Sequence, residues 1–261
     1  MGTGCGDICT LPEGCISHVI SLTSPVDSCR SAAVCTTFRS AAVSDTVWER
    51  FLPPDYRSIL ERAVRPVEYS SKKELFFRLC EPILIDDGKM SFSLEKSSGA
   101  KCYMLSARQM GIVWGDTPKY WRWHPLPDSR FSEVARLIDV CWLEFRGTIR
   151  SKALTPKTTY AAYLIFKLDQ NSRGLGSPNQ ETIVRLGAHV SRRAVNVQPR
   201  GSGRHHFRNV MRADGWMEME MGEFYNDEGE DGEVEMSFMG MQGGHWKSGL
   251  IIQGIEIRPK K

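Results

Sequence analysis

The apolar residues change their spacing once along the chain, from a helical period to a period of two, and the change falls between residues 53 and 83. After Leu11-Pro12-Glu13-Gly14, the positions Ile16, Val19 and Ile20 mark one face of a short helix. A second helix opens with Ser24 as N-cap, Pro25 at the first helical position and Asp27 at the third. This is a capping box with Asp in place of Glu or Gln. Its stripe continues through Val26, Cys29, Ala33, Val34 and Phe38. Ser44 is placed to cap a third helix carrying Val47, Trp48 and Phe51, which Pro53-Pro54 ends. Helices this short bury little alone, so the segment is expected to lean on a partner. A helical linker over residues 54–82 follows. In it Ile59, Leu60 and Ala63 repeat at helical spacing, and Ser71 with Glu74 forms a capping box before Leu75, Phe76, Leu79 and Cys80. Pro82 stops that run.

From residue 83 the period is two. Ile83-Leu84-Ile85, then Asp86-Asp87-Gly88, then Met90 to Leu94 reads as strand, turn and strand, and Asp87-Gly88 suits a type I′ hairpin. Ser98-Gly99 marks the next turn, before Cys102 to Leu105. Further strands are predicted at 111–114, 120–123, 140–148 and 159–168. Met217, Met219 and Met221 alternate with Glu218 and Glu220, a turn at 229–232 leads into Val234, Met236 and Phe238, and a last strand carries Ile251 to Ile257. Many short strands at regular intervals predict a β-sandwich or barrel. The polar stretch from Asn171 to His206 reads as a long loop or irregular crossing.

Composition narrows the function classes. The 261-residue chain has a formal net charge of +3 and no dense Lys/Arg tract, so no nucleic-acid partner is expected. No apolar run reaches the length of a membrane span, and the first residues lack the basic and apolar regions of a secretory signal, so no membrane association is expected. No Asn-x-Ser/Thr sequon occurs. The eight cysteines (Cys5, Cys9, Cys15, Cys29, Cys35, Cys80, Cys102, Cys141) contain no C-x-x-C pair for zinc. Buried thiols in a reducing compartment, cytoplasm or nucleus or both, are expected in preference to disulfides.

Candidate chemistry is concentrated in one place. Three of the seven tryptophans, Trp114, Trp121 and Trp123, lie with Tyr120 in a ten-residue stretch around the turn Gly115-Asp116-Thr117-Pro118. Each indole brings a large apolar area and an N–H that needs a partner, so two readings stand: a platform for a flat ligand, or a hydrophobic corner of the core. Trp123 shares the parity of Trp121 in an extended strand. The acidic run from Asn226 to Glu233 fails calcium-loop spacing and reads as a solvated hairpin turn. His205-His206 lacks companions at metal spacing and reads as an exposed pair. No Ser, Cys and His arrangement suggests a nucleophile with its base, and the glycines form no phosphate loop. We therefore expect no enzyme, no metal and no cofactor.

Two resemblances emerge from these residues. Leu11-Pro12-Glu13-Gly14-Cys15-Ile16, the central Cys29-Arg30-Ser31-Ala32-Ala33-Val34-Cys35-Thr36-Thr37-Phe38-Arg39 and the closing Val47-Trp48-Glu49-Arg50-Phe51-Leu52-Pro53 resemble an F-box. Lys101 to Arg108, the tryptophan stretch, Thr159 to Leu164 and Gly229 to Met236 resemble the plant phloem-lectin domain, the Nictaba-related family. In this order the motifs resemble the plant F-box phloem-lectin proteins over nearly the whole chain. The resemblance implies an α+β multidomain fold: an all-α F-box over 7–53, the helical linker over 54–82, and an antiparallel, jelly-roll-like β-sandwich over 83–261.

The resemblance also implies partners. The F-box would dock on the Skp-type adaptor of a cullin–RING ubiquitin ligase, making the chain a substrate-recognition subunit without catalysis of its own. Leu11, Pro12, Ile16, Val19, Leu22, Pro25 and Trp48 are the candidate docking or docking-support residues. For Leu11-Pro12 the interface is the favoured role; for Trp48 and Val34 it is the core. The sandwich would bind N-acetylglucosamine oligomers or N-glycans on a glycoprotein target. Trp114 and Trp121 match the family's ring positions and flank the turn, with Asp116, Lys119 and Tyr120 as further candidates and Trp123 left to core or contact. The alternative is a sandwich that has lost sugar binding and recognises a protein surface, with the tryptophans as hot spots.

Overall fold

The computed structural model describes residues 11–176, 180–198, 209–229, 231–240 and 245–260. It divides into two compact units, one of residues up to 85 with 92–101, the other of residues 86–91 with 102–261.

The first unit holds helices α1 (Glu13–Ser21), α2 (Pro25–Ser31), α3 (Thr36–Val43), α4 (Asp45–Phe51), α5 (Tyr56–Glu61) and α6 (Lys72–Leu79), followed by strand β1 (Ile83–Ile85). Capping chemistry starts α2 and α6 where the sequence places them. Ser24 Oγ accepts from Asp27 N at 3.1 Å, and Ser71 Oγ accepts from Glu74 N at 3.1 Å. Ser44 precedes α4 but its hydroxyl pairs with Thr46 Oγ1 (2.8 Å) and makes no cap to the helix backbone. The stripe expected to run from Val26 to Phe38 as one helix is broken: Val34 N closes a turn on Ser31 O (3.0 Å), and Cys35 is extended (φ −160°, ψ 175°) as it opens α3.

Trp48 is the centre of this unit. It is fully buried, its Nε1 donates to Ala42 O (2.7 Å), and its ring lies 5.5 Å from Phe51, 5.3 Å from Phe76 and 5.3 Å from Phe77. Ile16, Ile20, Val47, Ile59, Leu75 and Leu79 are also buried apolar residues of this unit. The turn at Ser98-Gly99 approaches closely: Gly99 has φ +73°, and a Cβ there would fall 2.7 Å from Phe51 O.

The other strands are β2 (Met90–Leu94), β3 (Lys101–Ser106), β4 (Gly111–Ile112), β5 (Trp121–His124), β6 (Val134–Leu137), β7 (Leu143–Arg150), β8 (Thr158–Arg173), β9 (Gln180–Leu186), β10 (His189–Val195), β11 (Val210–Met211), β12 (Met217–Asn226), β13 (Glu233–Gly240) and β14 (Ser248–Pro259). In the second unit one antiparallel sheet runs β3-β14-β8-β12-β11, with β6 also on β14 and β5 on β6. The other runs β10-β9-β13-β7-β4. Their inner faces meet as a sandwich. Gly147 of β7 lies so close to Leu105 and Ile255 of the opposite sheet that a Cβ would sit 2.9 Å and 3.3 Å from their methyl groups. The core between them includes Phe145 stacked on Phe238 (4.8 Å) and Tyr160 on Phe224 (5.8 Å).

Local turn chemistry agrees with the sequence. Asp87 and Gly88 both take positive φ (56° and 76°) and Lys89 N donates to Asp86 O (3.0 Å), as a type I′ turn requires. The alternation at Met217 to Met221 forms β12, with Met219 and Met221 in the core. Glu218 faces outward into a cluster with Arg212, Glu256 and Arg258, held by bonds of 2.8–3.2 Å. Burial alone would raise the Glu256 carboxyl, but the guanidinium groups of Arg212, Arg258 and Arg130 hold it below its ordinary range.

The stretch expected as a long loop is corrected. β8 runs on to Arg173, and β9 and β10 form a hairpin in register Leu186↔His189 to Gln180↔Val195, turning at Gly187 with φ 55°. Thr182, Val184 and Leu186 alternate inward, and the arginines that suggested a loop, Arg185 and Arg192, are the outward partners. His205-His206 lies outside the described residues, as do Cys5, Cys9 and Glu230. Asp231 and Glu228 of the acidic turn pair with Lys152 and Lys157. Cys15, Cys29, Cys80 and Cys141 are free thiols; Cys15 and Cys29 are exposed where buried thiols were expected, and burial pushes Cys80 up to about 11. Among the described residues no helix is long and apolar enough to cross a membrane.

Candidate functional site

The tryptophan turn of the second unit is built by successive backbone bonds. Val113 N donates to Glu144 O (3.0 Å), Gly115 N to Ile112 O (2.9 Å), Thr117 N to Trp114 O (2.9 Å), and Tyr120 N to Thr117 O (2.9 Å). Inside this frame Trp114 takes φ 57°. That left-handed conformation costs a bulky L-residue roughly 1–2 kcal/mol and persists because the surrounding bonds over-determine it. Gly115 follows where a Cβ would meet Ile112 O at 3.0 Å. The backbone leaves the expected 111–114 strand after Ile112 and throws the Trp114 ring outward.

Trp114 is 44% exposed and lies 5.2 Å from the Tyr120 ring, tilted by 37°. Lys119 Nζ stands 5.7 Å from the Tyr120 ring, and the Asp116 side chain is fully exposed, 3.9 Å from Arg108 Nη1. These four residues form one surface: two aromatic faces with a cation and a carboxylate on the same turn.

Trp121 does not join them. It was expected to face the ligand with Trp114, yet it is only 2% exposed and its Nε1 donates to Val113 O (3.2 Å). Trp123, half-buried on the same face of β5, donates to Gly115 O (2.8 Å) and carries the Arg108 guanidinium over its ring at 3.7 Å. The two indoles of β5 buttress the turn from beneath, each satisfying its N–H with a turn carbonyl. Residues 113–117 fold over Trp121, and that covering removes it from the surface. Arg108, held also by Glu133 (2.9 Å), is a support that sequence reasoning missed; only its later contact with Trp123 reveals it.

In the helical unit the docking candidates split into two groups. Leu11 (44% exposed), Pro12, Val19 (52%) and Leu22 (59%) lie on the surface, whereas Ile16, Pro25 and Trp48 are buried and act as support. Val34, assigned to the core from its stripe, is 64% exposed, because the break before α3 turns it out. Val43 adds a further exposed apolar residue that the sequence reading passed over. Along α1 and its C-cap the exposed set Cys15, Val19 and Leu22 follows i, i+4, i+7, on a different face from the buried pair Ile16 and Ile20. One helix thus offers apolar groups on two sides, one for its own core and one to solvent.

A helical unit with an uncovered apolar face and an antiparallel sandwich that presents an aromatic turn define a two-part protein, F-box-like and lectin-like. Comparison with known families agrees. The F-box-like model matches residues 8–53 and the phloem protein 2 model matches residues 100–259. The chain is 49% identical to the Arabidopsis thaliana F-box protein At2g02240 (96% of this chain, 80% of that protein). It is 47% identical to F-box protein PP2-B10 of the same plant (97% and 94%) and 44% identical to F-box protein SKIP3 (97% and 88%). The chain belongs to the phloem protein 2 family, among its members that carry an F-box. Solved structures align weakly. An insecticidal crystal protein, Cry2Aa, aligns at TM-score 0.34 and 11% identity (72% of this chain, 25% of that one). The Caldicellulosiruptor saccharolyticus module CBM27-1 in complex with mannohexaose aligns at TM-score 0.32 and 13% identity (60% and 93%). Neither carries weight for fold or ligand.

Proposed function

We propose that the chain is the substrate-recognition subunit of a Skp–cullin–F-box ubiquitin ligase, a non-catalytic adaptor acting in the cytoplasm or nucleus. The observation that carries this is the uncovered apolar set Leu11, Pro12, Val19, Leu22 and Val34, on and beside helices too short to bury it. Apolar groups presented at helical spacing are what a helical partner surface covers. The combined substitution of Leu11 and Pro12 by alanine is expected to abolish co-purification with the Skp-type adaptor while the chain stays folded. Unchanged recovery would overturn the proposal.

The sandwich, in this proposal, selects targets carrying N-acetylglucosamine oligomers or N-glycans. Trp114 and Tyr120 supply aromatic faces for the C–H side of a pyranose, and Asp116 and Lys119 supply polar contacts to its hydroxyls. A glycan array with the wild type and Trp114→Ala tests this: binding by the wild type that Trp114→Ala loses supports it. The burial of Trp121 favours a second reading, a protein-binding turn with Trp114 as its anchor, because one exposed indole is a smaller sugar platform than two. No glycan bound by the wild type, with target capture still dependent on Trp114, decides for that reading.

A further inference from the structure

A cleft of the helical unit shares no residue with the docking candidates of that unit. It is bounded by residues 64–68, by α6, and by residues 81–84 leading into β1, and it encloses about 850 Å³. Val64 N donates to Leu84 O (2.9 Å), which joins the first and last of these walls. Every lining residue falls between positions 64 and 84, outside the stretches matched by either family model.

The cleft is apolar inside and charged at its rim. Val67, Phe77, Ile83 and Leu84 form half-buried walls. Its volume is within the roughly 300–1,000 Å³ of small-molecule sites, which are mostly apolar with a few polar groups that fix orientation. Two of the rim charges are already spent on each other. Glu74 accepts from Ser70 N (3.0 Å), Ser70 Oγ (2.6 Å) and Arg78 Nη2 (3.2 Å), so the Arg78 cation is neutralised. Arg65 is different: it is exposed, lines the cleft, and makes no ion pair with any described residue. A second cation is near, since Lys96 Nζ lies 5.9 Å from the Phe77 ring. Glu68 and Glu81, also on the rim, oppose more than one negative charge.

We propose that this cleft binds a small amphipathic acid, its apolar body against Val67, Phe77, Ile83 and Leu84 and its single acid group on the Arg65 guanidinium. A guanidinium on an apolar wall is suited to that group: it presents paired N–H donors to a carboxylate or sulfonate, and it remains charged at any working pH. The inference is independent of the ligase and glycan proposals.

The test uses the full chain titrated with 1-anilinonaphthalene-8-sulfonate, and in parallel with uncharged N-phenyl-1-naphthylamine, followed by fluorescence and by calorimetric stoichiometry. One saturable site is expected. Arg65→Ala should weaken the sulfonate by about tenfold, the loss of a charge-assisted contact, and change the uncharged probe by no more than about twofold. Val67→Trp, which puts an indole on the apolar wall in place of a smaller side chain, should weaken both. An unaltered thermal unfolding transition separates these effects from binding to a loosened chain. The proposal is overturned if the wild type shows no saturable site, or if Arg65→Ala weakens both probes equally or neither.

Discussion

The helical unit and the sandwich present their candidate surfaces by opposite means. In the first, α1 needs no special backbone: its 3.6-residue period places Ile16 and Ile20 in the core and Cys15, Val19 and Leu22 outside. In the second, strands alternate sides and the exposed ring comes from a turn. Trp114 is held at positive φ and supported from beneath by Trp121 and Trp123. A helix with two apolar sides offers a broad, unstrained patch, which suits a helical partner. A buttressed turn offers a small rigid point, which suits a compact ligand.

The strongest way to break this comparison is to remove the supports. Trp48→Ala and Trp121→Ala are each expected to destabilise their own unit by about 3–5 kcal/mol, read by hydrogen exchange resolved along the chain. Loss of adaptor capture by Trp48→Ala at unchanged stability would instead make Trp48 a direct contact.

Replacing the presenting residues should spare the fold. Val19→Asp is expected to move stability by no more than about 0.5 kcal/mol while adaptor recovery falls, because the side chain is half exposed and supports nothing. At the turn, Trp114→Gly should be more stable than Trp114→Ala by about 1 kcal/mol, since only glycine takes the left-handed conformation without cost. Equal stabilities in a denaturant series would mean that the turn relaxes when the ring is gone.

The smallest effect concerns α6. The hydroxyl and backbone N–H of Ser70, with Arg78, lower the Glu74 carboxyl from its ordinary 4.5 to about 2. A lowered carboxyl contributes stability that is present above pH 4.5 and is lost as pH falls toward about 2. Acid titration should show Glu74→Gln less stable than wild type near neutrality, with the two converging across that window. A constant difference down to low pH would remove the electrostatic explanation.

What was legible in the sequence was local. Ser24 and Ser71 cap helices, Asp87-Gly88 turns a hairpin, and Met219 and Met221 point inward, because each depends on neighbours within a few residues. The β9–β10 hairpin was missed although Thr182, Val184 and Leu186 alternate. Ile183 interrupts the alternation, and the charged Arg185 and Arg192 that read as loop residues are outward positions of the two strands. The site was half legible. Trp114 and Tyr120 meet as the turn implies, but the parity that groups Trp121 with Trp123 does not say which side of β5 is covered.

The sequence by itself determined a helical half with more apolar groups than it buries, a strand-rich half, and a tryptophan turn between two short strands. Periodicity, caps and turn residues act over a few positions, so they are written in the order of the residues. Only the tertiary structure decided which apolar groups face out. Trp121 is hidden because residues 113–117 fold back over it and Val113 O takes its N–H, and Val34 is exposed because the chain breaks before α3. Burial depends on what packs against a side chain, and that partner lies elsewhere in the chain.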